Sequence, residues 1–431
     1  MTISLKISLP DIRFLSFSVF ASFGTYFCMY AFRKPFTVAT FENMAFVGVD
    51  YKILLIVSQV LGYMVSKFIG IKLISELKAN RRLSYLIGMI LLAEIGLVAF
   101  GIVPAPYNIV FMFVNGLSLG MIWGIVFSYL EGRKFTEILG VALCASFIVS
   151  SGAVKSVGLL VLTEMQVTEN WMPAVTGAFF LIPFASFALL LERIPRPTKR
   201  DIALRSERKP MTQEDRKKLV RAFFFPIVLL VFFYTCLTAL RDFRDNFSRE
   251  IWDAVGYQGD ASIYTLSEIP IAIFVLIFLG SLSFVKKNKK AFLYYHYILV
   301  LGVLMIGLNT FLFQLQLISP LVWMVLTGFG LYSCYVPFNG IFFDRMIAVF
   351  RINGNVGFLI YIADAFGYLG SMAVLLYKNF GQGDLSWLKF FMNATYIVAV
   401  LGLVICVASL IYFKSKYEKV RMPPEPQIHI V

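Results

Sequence analysis

Long apolar segments recur along the whole chain, and they limit its possible folds more than any other feature. Each is about 20 residues or longer with few charges, the length that an α-helix needs to cross a bilayer. Strands of a membrane barrel would instead alternate in character over about 10 residues. The chain is 59% hydrophobic, whereas soluble domains contain about 45–50% apolar residues. The sequence therefore predicts an all-α membrane protein with twelve transmembrane helices, at 12–40, 50–73, 83–103, 107–130, 138–162, 172–192, 219–241, 262–285, 291–314, 318–342, 354–377 and 388–413.

Basic residues are concentrated in loops on one side of this predicted bundle. The segments 72–82, 193–221, 286–290 and 414–421 are all basic, and each follows an even-numbered span. Lys and Arg mark the cytoplasmic loops of membrane proteins, so we expect both termini in the cytoplasm and the first span retained. The formal net charge of +14 is then explained by these loops, without a nucleic-acid partner. We expect a multi-pass protein of the cell membrane, embedded in the lipid bilayer, as in a bacterial inner membrane.

One long polar segment divides the predicted spans into two sets of six. This segment, 193–221, contains Pro195, Pro197 and Pro210, and proline-containing polar stretches commonly connect domains. Six helices, a basic linker and six helices is the layout of the major facilitator fold, in which two parallel halves are related by an axis along the membrane normal. The predicted units are an N-terminal half at 1–194, a linker at 195–218, a C-terminal half at 219–413 and a tail at 414–431.

A weak internal repeat supports two related halves. GLSLGMIWGIVFSYLEGR (116–133) aligns with GFGLYSCYVPFNGIFFDR (328–345), and both copies end in an acid close to an arginine. Such pairs at a helix end are either gates that exchange partners as the halves move, or interfacial side chains that extend toward water. The candidate gating residues, including those of the loop 72–82, are Glu76, Arg81, Arg82, Glu131, Arg133, Asp344 and Arg345.

The stretch YFCMYAFRKPFTVATF (26–41) places two cations in an apolar, aromatic run. Tyr26, Tyr30 and Arg33 are spaced i, i+4, i+7 and therefore share one helix face. A charged side chain in mid-bilayer costs about 2.5–3.5 kcal/mol and usually faces a cavity or a partner. The planar fork of arginine suits phosphate or carboxylate. We expect a helix that bends at Pro35, with Arg33 in a cavity and Lys34 as an anchor or ion-pair partner; alternatively, Arg33 lies at the far membrane interface.

Three short stretches resemble the organophosphate:phosphate antiporters, the major-facilitator carriers of glycerol phosphate and hexose phosphates. They are YFCMYAFRKPF, GYMVSKFIG (62–70) and FFYTCLTALRDFRDNFS (232–248). Membership of a distant sister family of uncharacterised bacterial membrane proteins is the alternative interpretation of these stretches. The resemblance implies one substrate-binding arginine in each half, Arg33 and Arg241, with Arg244 as a competitor for the second position. It further implies pocket positions for Tyr63 and Lys67, while Ser146 stands where that family has a histidine. With the cavity candidate Lys155, the predicted substrate-binding set is Arg33, Arg241, Lys67, Tyr26, Tyr30, Tyr63, Lys155 and Ser146.

Further charges interrupt the predicted spans. Glu94, Glu268 and Asp364 lie within the third, eighth and eleventh spans. A buried acid could carry a proton, which would make the protein a symporter. It could also balance an arginine, since an unpartnered buried charge is costly, and we favour this interpretation for Glu94 and Asp364. The candidates for coupling or ion pairing are thus Asp364, Glu268, Glu94 and Arg244.

Other classes of protein find little support. Five single cysteines lack the spacing of a disulfide framework or a metal site. No HExxH and no GxxxxGK[ST] occurs, which argues against a metalloprotease or an ATP-driven pump. Ser151 and Lys155 at i, i+4 could form a hydrolytic pair, but packing serines beside a cavity lysine explain the spacing more simply. We expect no enzyme, metal or cofactor, and a monomeric secondary carrier of a small anionic solute by antiport. A proton symporter and a transporter-like receptor are the alternatives.

Overall fold

A computed structural model describes residues 9–130, 135–195, 213–282, 285, 287–339, 341–350 and 356–419. These residues form fifteen α-helices, three short 3-10 helices and one two-stranded hairpin. The 3-10 helices are Pro35–Val38, Ala79–Arg81 and Val336–Asn339, and the hairpin pairs β1 (Ala45–Phe46) with β2 (Val49–Asp50). The α-helices are α1 Leu9–Tyr30, α2 Tyr51–Glu76, α3 Arg82–Ile102, α4 Ile109–Leu119, α5 Ile122–Leu130, α6 Thr136–Thr163, α7 Met172–Glu192, α8 Gln213–Asn246, α9 Ser248–Ala254, α10 Ser262–Leu282, α11 Asn288–Gln314, α12 Pro320–Tyr335, α13 Ile341–Phe350, α14 Val356–Gly381 and α15 Trp387–Lys419.

Eleven segments of the described chain are long and apolar enough to cross a membrane. They correspond to eleven of the twelve predicted spans, and α14 (Val356–Gly381) occupies the remaining one. For description, we refer to α1–α7 as the first half and to α8–α15 as the second half, on either side of the predicted linker. In the first half, α1 packs on α6 and α7, while α2 packs on α4. The halves meet mainly where α6 packs on α10, and also where α2 contacts α14.

Several predicted boundaries need correction. The first span was expected to continue to residue 40, but α1 ends at Tyr30 and a 3-10 helix begins at Pro35. Proline has no N–H to donate to the carbonyl four residues earlier, so the α-helix stops rather than bends. The fourth span is divided into α4 and α5. Helix α8 begins at Gln213, inside the predicted linker, and α15 continues to Lys419, inside the predicted tail.

Glycines allow the closest helix contacts. A Cβ added at Gly116 in α4 would lie 2.0 Å from the carbonyl oxygen of Gln59 in α2. A Cβ at Gly152 in α6 would lie 2.2 Å from the carbonyl oxygen of Tyr264 in α10. Small residues let membrane helices approach backbone to backbone. The contact at Gly116 brings polar side chains of α2 and α4 together within the first half. The contact at Gly152 does the same for α6 and α10 across the boundary between the halves.

Candidate functional site

Arg33 follows the end of α1 and points into the protein. The residue is only 8% exposed, so it is not an anchor at the membrane interface. Its guanidinium carbon lies 4.1 Å from the ring centroid of Tyr63 and 5.8 Å from that of Tyr30. Within the described residues no carboxylate pairs with it, and its Nε has no hydrogen-bond partner. Arg33 is therefore a buried cation whose described neighbours are aromatic rings, an arrangement that leaves its fork available to an anion.

Arg241 is the corresponding arginine of the second half. Its guanidinium carbon lies 4.3 Å from the ring centroid of Tyr335, and its Nη2 donates to Asp242 Oδ1 at 2.6 Å. The ring of Tyr63, on which Arg33 stacks, lies 5.6 Å from the ring of Tyr368 in α14. Each half thus contributes one arginine stacked on a tyrosine.

Arg244 has partners of its own in the second half. It is 3% exposed, and its Nη1 donates to Glu268 Oε1 at 2.7 Å. Its Nη2 donates to the carbonyl oxygen of Met324 at 3.3 Å. Of the two sequence candidates for the second arginine, Arg241 has the same kind of aromatic contact as Arg33, whereas Arg244 forms an ion pair within the second half.

Lys67 and Asp364 form an ion pair between α2 and α14, and so between the two halves. Tyr234 donates to the second oxygen of Asp364 at 2.7 Å, and its hydroxyl lies 2.9 Å from that of Tyr335. The interpretation that Asp364 balances an arginine is thus corrected: its described cation is a lysine. The Asp364 carboxylate is thus connected through the hydroxyl of Tyr234 to Tyr335, the residue on whose ring Arg241 stacks.

A second inter-half cluster centres on Asp245. Lys34 lies 2.5 Å from Asp245 Oδ2 and donates to Asn246 Oδ1 at 2.8 Å. Lys155 and Ser151 of α6 both bond to Asp245 Oδ1. Lys34 is only 4% exposed, so the anchor interpretation is wrong and the ion-pair alternative describes its position. Lys155, a predicted substrate contact, has a carboxylate partner here.

Ser146 and Glu94 are two further interior candidates, and neither has a described hydrogen bond or ion pair with an arginine. Ser146 is fully buried and donates to the carbonyl oxygen of Phe23 at 3.0 Å, so its hydroxyl serves the contact between α6 and α1. Glu94 is 9% exposed, and its Oε2 has no hydrogen-bond partner in the described structure. No arginine of the described chain pairs with Glu94, which corrects the expectation that it balances one.

The structure describes the side chains of three of the predicted gating residues. Arg82 donates to the carbonyl oxygen of Ser128 at 3.3 Å and lies over the ring of Tyr129. Arg345 donates to Asn288 Oδ1 at 2.5 Å, and Arg81 is exposed. Glu131 and Arg133 lie outside the described residues, as do the side chains of Glu76 and Asp344. Each of these contacts joins residues of the same half, the first half for Arg82 and the second for Arg345.

Sequence reasoning missed three tyrosines of this site, Tyr234, Tyr335 and Tyr368. Two of them had a signal. Tyr234 precedes Arg241 by seven residues, as Tyr26 precedes Arg33, and Tyr368 follows Asp364 by four, so each pair shares a helix face. The acids Asp242 and Asp245 stood in a visibly dense charged run, but the sequence did not say which cation each would meet. Among the described residues no group of three or more His, Cys, Asp or Glu side chains could hold a metal ion.

Comparison with known proteins bears on the fold. A model described as a family of unknown function (DUF5690) matches residues 35–416, and no curated protein sequence gives a match. The crystal structure of a D-xylose–proton symporter is similar with a TM-score of 0.64 at 13% identity, covering 92% of this chain and 97% of that one. The nucleoside transporter NupG gives 0.60 at 15% identity, covering 93% and 99%. Tetrameric PepTSo2 gives 0.60 at 13% identity, covering 94% and 99%. These likenesses confirm the predicted all-α major facilitator fold.

Proposed function

The chain belongs to a family of unknown function (DUF5690), and from its fold and its buried arginines we propose that it is a secondary active transporter of a small anionic solute. The observation that carries the proposal is Arg33, a buried guanidinium with no carboxylate partner among the described residues. An anion bound there would gain charge-assisted hydrogen bonds of about 1.5–3 kcal/mol each without breaking an existing ion pair.

The two arginines stand on opposite halves, and this suits alternating access. A solute held between Arg33 and Arg241 would contact both halves, so movement of one half against the other would change which side it can leave from. We propose phosphate-bearing solutes first, because the stretches that carry these arginines resemble the organophosphate:phosphate antiporters, and carboxylates second. Antiport is the proposed mode, by a monomer in the cell membrane with both termini in the cytoplasm.

A counterflow screen in proteoliposomes tests the proposal. Vesicles are loaded with phosphate, sugar phosphates, carboxylates or neutral sugars, and uptake of the labelled solute is measured. Arg33→Gln and Arg241→Gln should each reduce anion affinity roughly 10- to 150-fold, the equivalent of about 1.5–3 kcal/mol. Arg221→Gln, in the same helix as Arg241 but exposed, is the matched control and should transport normally. Normal transport by either of the other two variants would refute the pocket.

A proton symporter is the second candidate, and Asp364 favours it. Its carboxylate joins the halves through Lys67 and accepts from Tyr234, so protonation would weaken a contact between the halves. The similar D-xylose–proton symporter has the same fold. Uptake driven by a pH gradient and abolished in Asp364→Asn would select this mode, whereas trans-stimulation by phosphate would select antiport. Stoichiometric binding without flux would instead indicate a receptor.

A further inference from the structure

The backbone at the end of α1 lacks its usual hydrogen-bond partners. The amides of Ala31, Phe32 and Arg33 donate to carbonyls three residues earlier, at 3.0–3.1 Å. Beyond them Pro35 has no N–H, and the chain leaves the helical path. The carbonyls of Phe32 and Arg33 therefore need partners from elsewhere, because a buried backbone acceptor without one is costly.

Two side-chain amides supply these partners. Asn115 Nδ2 donates to the carbonyl oxygen of Phe32 at 2.9 Å and to that of Ala93 at 3.2 Å. Gln59 Nε2 donates to the carbonyl oxygen of Arg33 at 3.0 Å and to Asn115 Oδ1 at 2.8 Å. Asn115 is fully buried and Gln59 is 4% exposed. The two amides, bonded to each other, thus hold two consecutive carbonyls of the backbone that carries the Arg33 side chain.

The close contact of α2 and α4 places the two amides side by side. Gly116, the residue after Asn115, has no room for a Cβ because the carbonyl of Gln59 would lie 2.0 Å away. The amide donors also matter, because a carboxylate at either position has no N–H to donate and an apolar side chain would leave the carbonyls unsatisfied.

We propose that Gln59 and Asn115 are positioning residues that fix the backbone of Phe32 and Arg33, so that the guanidinium of Arg33 is held toward the centre of the protein. The inference rests on the proposed function in one respect, that Arg33 receives an anion. The side chain of Arg33 has no described ion pair to orient it. Its direction is therefore set by its backbone and by stacking on Tyr63.

The first experiment measures the backbone itself. Hydrogen–deuterium exchange of the full chain in nanodiscs compares wild type with Gln59→Met and Asn115→Leu, which keep side-chain size and remove the amides. Peptides covering residues 30–38 should exchange at least about tenfold faster in both variants, since the turn loses its anchors. Ser58→Ala is the matched control, because Ser58 also bonds α2 to α4, through the carbonyl of Ile109 at 2.8 Å, but does not contact the end of α1.

The second experiment measures counterflow of radiolabelled phosphate. Both variants should raise KM about tenfold while the maximal rate per folded protein stays within about twofold, because the charge remains but is less well placed. In the Arg33→Gln background the same changes should add nothing further to KM. Unchanged exchange at 30–38 in both variants overturns the proposal, as does a fall in protein amount with unaltered KM. Faster exchange together with a wild type that moves no anion supports the positioning of this backbone and overturns the proposed function instead.

Discussion

Asp245 is a carboxylate that joins the two halves near the end of α1. It pairs with Lys34 of the first half, and with Lys155 and Ser151 of α6. The side chains of the two lysines are only 5% and 4% exposed. Asp245→Asn would leave two buried ammonium groups without a carboxylate, although Asn246 Oδ1 and the carbonyl of residue 245 would still accept from them.

The expected cost follows from this burial. Removing one partner of a buried pair destabilises a protein by about 3–5 kcal/mol. Asp245 is the partner of two lysines, but because other acceptors remain for both, we expect this loss once rather than twice. The matched control is Asp253→Asn. Asp253 pairs with Arg249 at 2.6 Å, but their side chains are 25% and 21% exposed, and water reaching both partners lowers the contribution of a pair toward that of a fully exposed one, about 0–1 kcal/mol. The same chemical change should thus be several times more damaging at position 245.

Thermal melting of the purified variants in one detergent, followed by tryptophan fluorescence, measures the difference. We expect Asp245→Asn to melt about 3–10 °C lower than wild type and Asp253→Asn less than about 2 °C lower, on the usual size scaling. The triple variant Lys34→Met, Asp245→Asn, Lys155→Met should recover most of the loss, since replacing a whole buried ion cluster by apolar groups is often neutral. Equal melting temperatures for the two single variants would show that the lysines do not depend on Asp245.

Three further predictions use the same melting assay. Lys67→Met should lower the free energy of unfolding by about 1–3 kcal/mol, less than the loss of one partner of a fully buried pair, because Lys67 is 21% exposed. Adding Asp364→Asn should restore part of that stability. A double variant that recovers nothing would contradict the ion pair. Glu94→Gln should change stability by less than about 1 kcal/mol, since Oε2 has no partner in the described structure, and a large loss would reveal one. Gly116→Ala should cost about 1–3 kcal/mol by overpacking, whereas Gly88→Ala, with nothing within 4 Å of an added Cβ, should be neutral or stabilising; equal effects would refute the close α2–α4 contact.

The helices could be predicted because length and apolar character are local properties of the chain. The cations at 33, 34 and 241 were also detectable, since a charge inside an apolar run is rare and conspicuous. Their partners were not, because Lys34 meets an acid 211 positions away and Lys67 one 297 positions away. Spacing along a helix shows which residues share a face, but it does not show which face of another helix they meet.

The end of α1 illustrates a second limit. The sequence showed a proline after two cations, and both a bend and a stop were compatible with that pattern. The stop is stable here because Gln59 and Asn115, from two other helices, satisfy the carbonyls it leaves open. No local rule could have predicted that, since the partners come from α2 and α4, beyond the segment that the proline disturbs.

Arg33 differs from most of the other buried cations because no described carboxylate pairs with it. Seven other cations described near the boundary between the halves do have a carboxylate within ion-pair distance, namely Lys34, Lys52, Lys67, Lys155, Arg241, Arg244 and Arg249. An anion that bound a buried, paired lysine would have to break an interaction whose loss costs about 3–5 kcal/mol. A charge-assisted hydrogen bond returns about 1.5–3 kcal/mol. Under the proposed function, an entering anion would therefore meet Arg33 first, whereas contact with Arg241 would carry the added cost that Asp242, its neighbour in sequence, shares or releases the guanidinium.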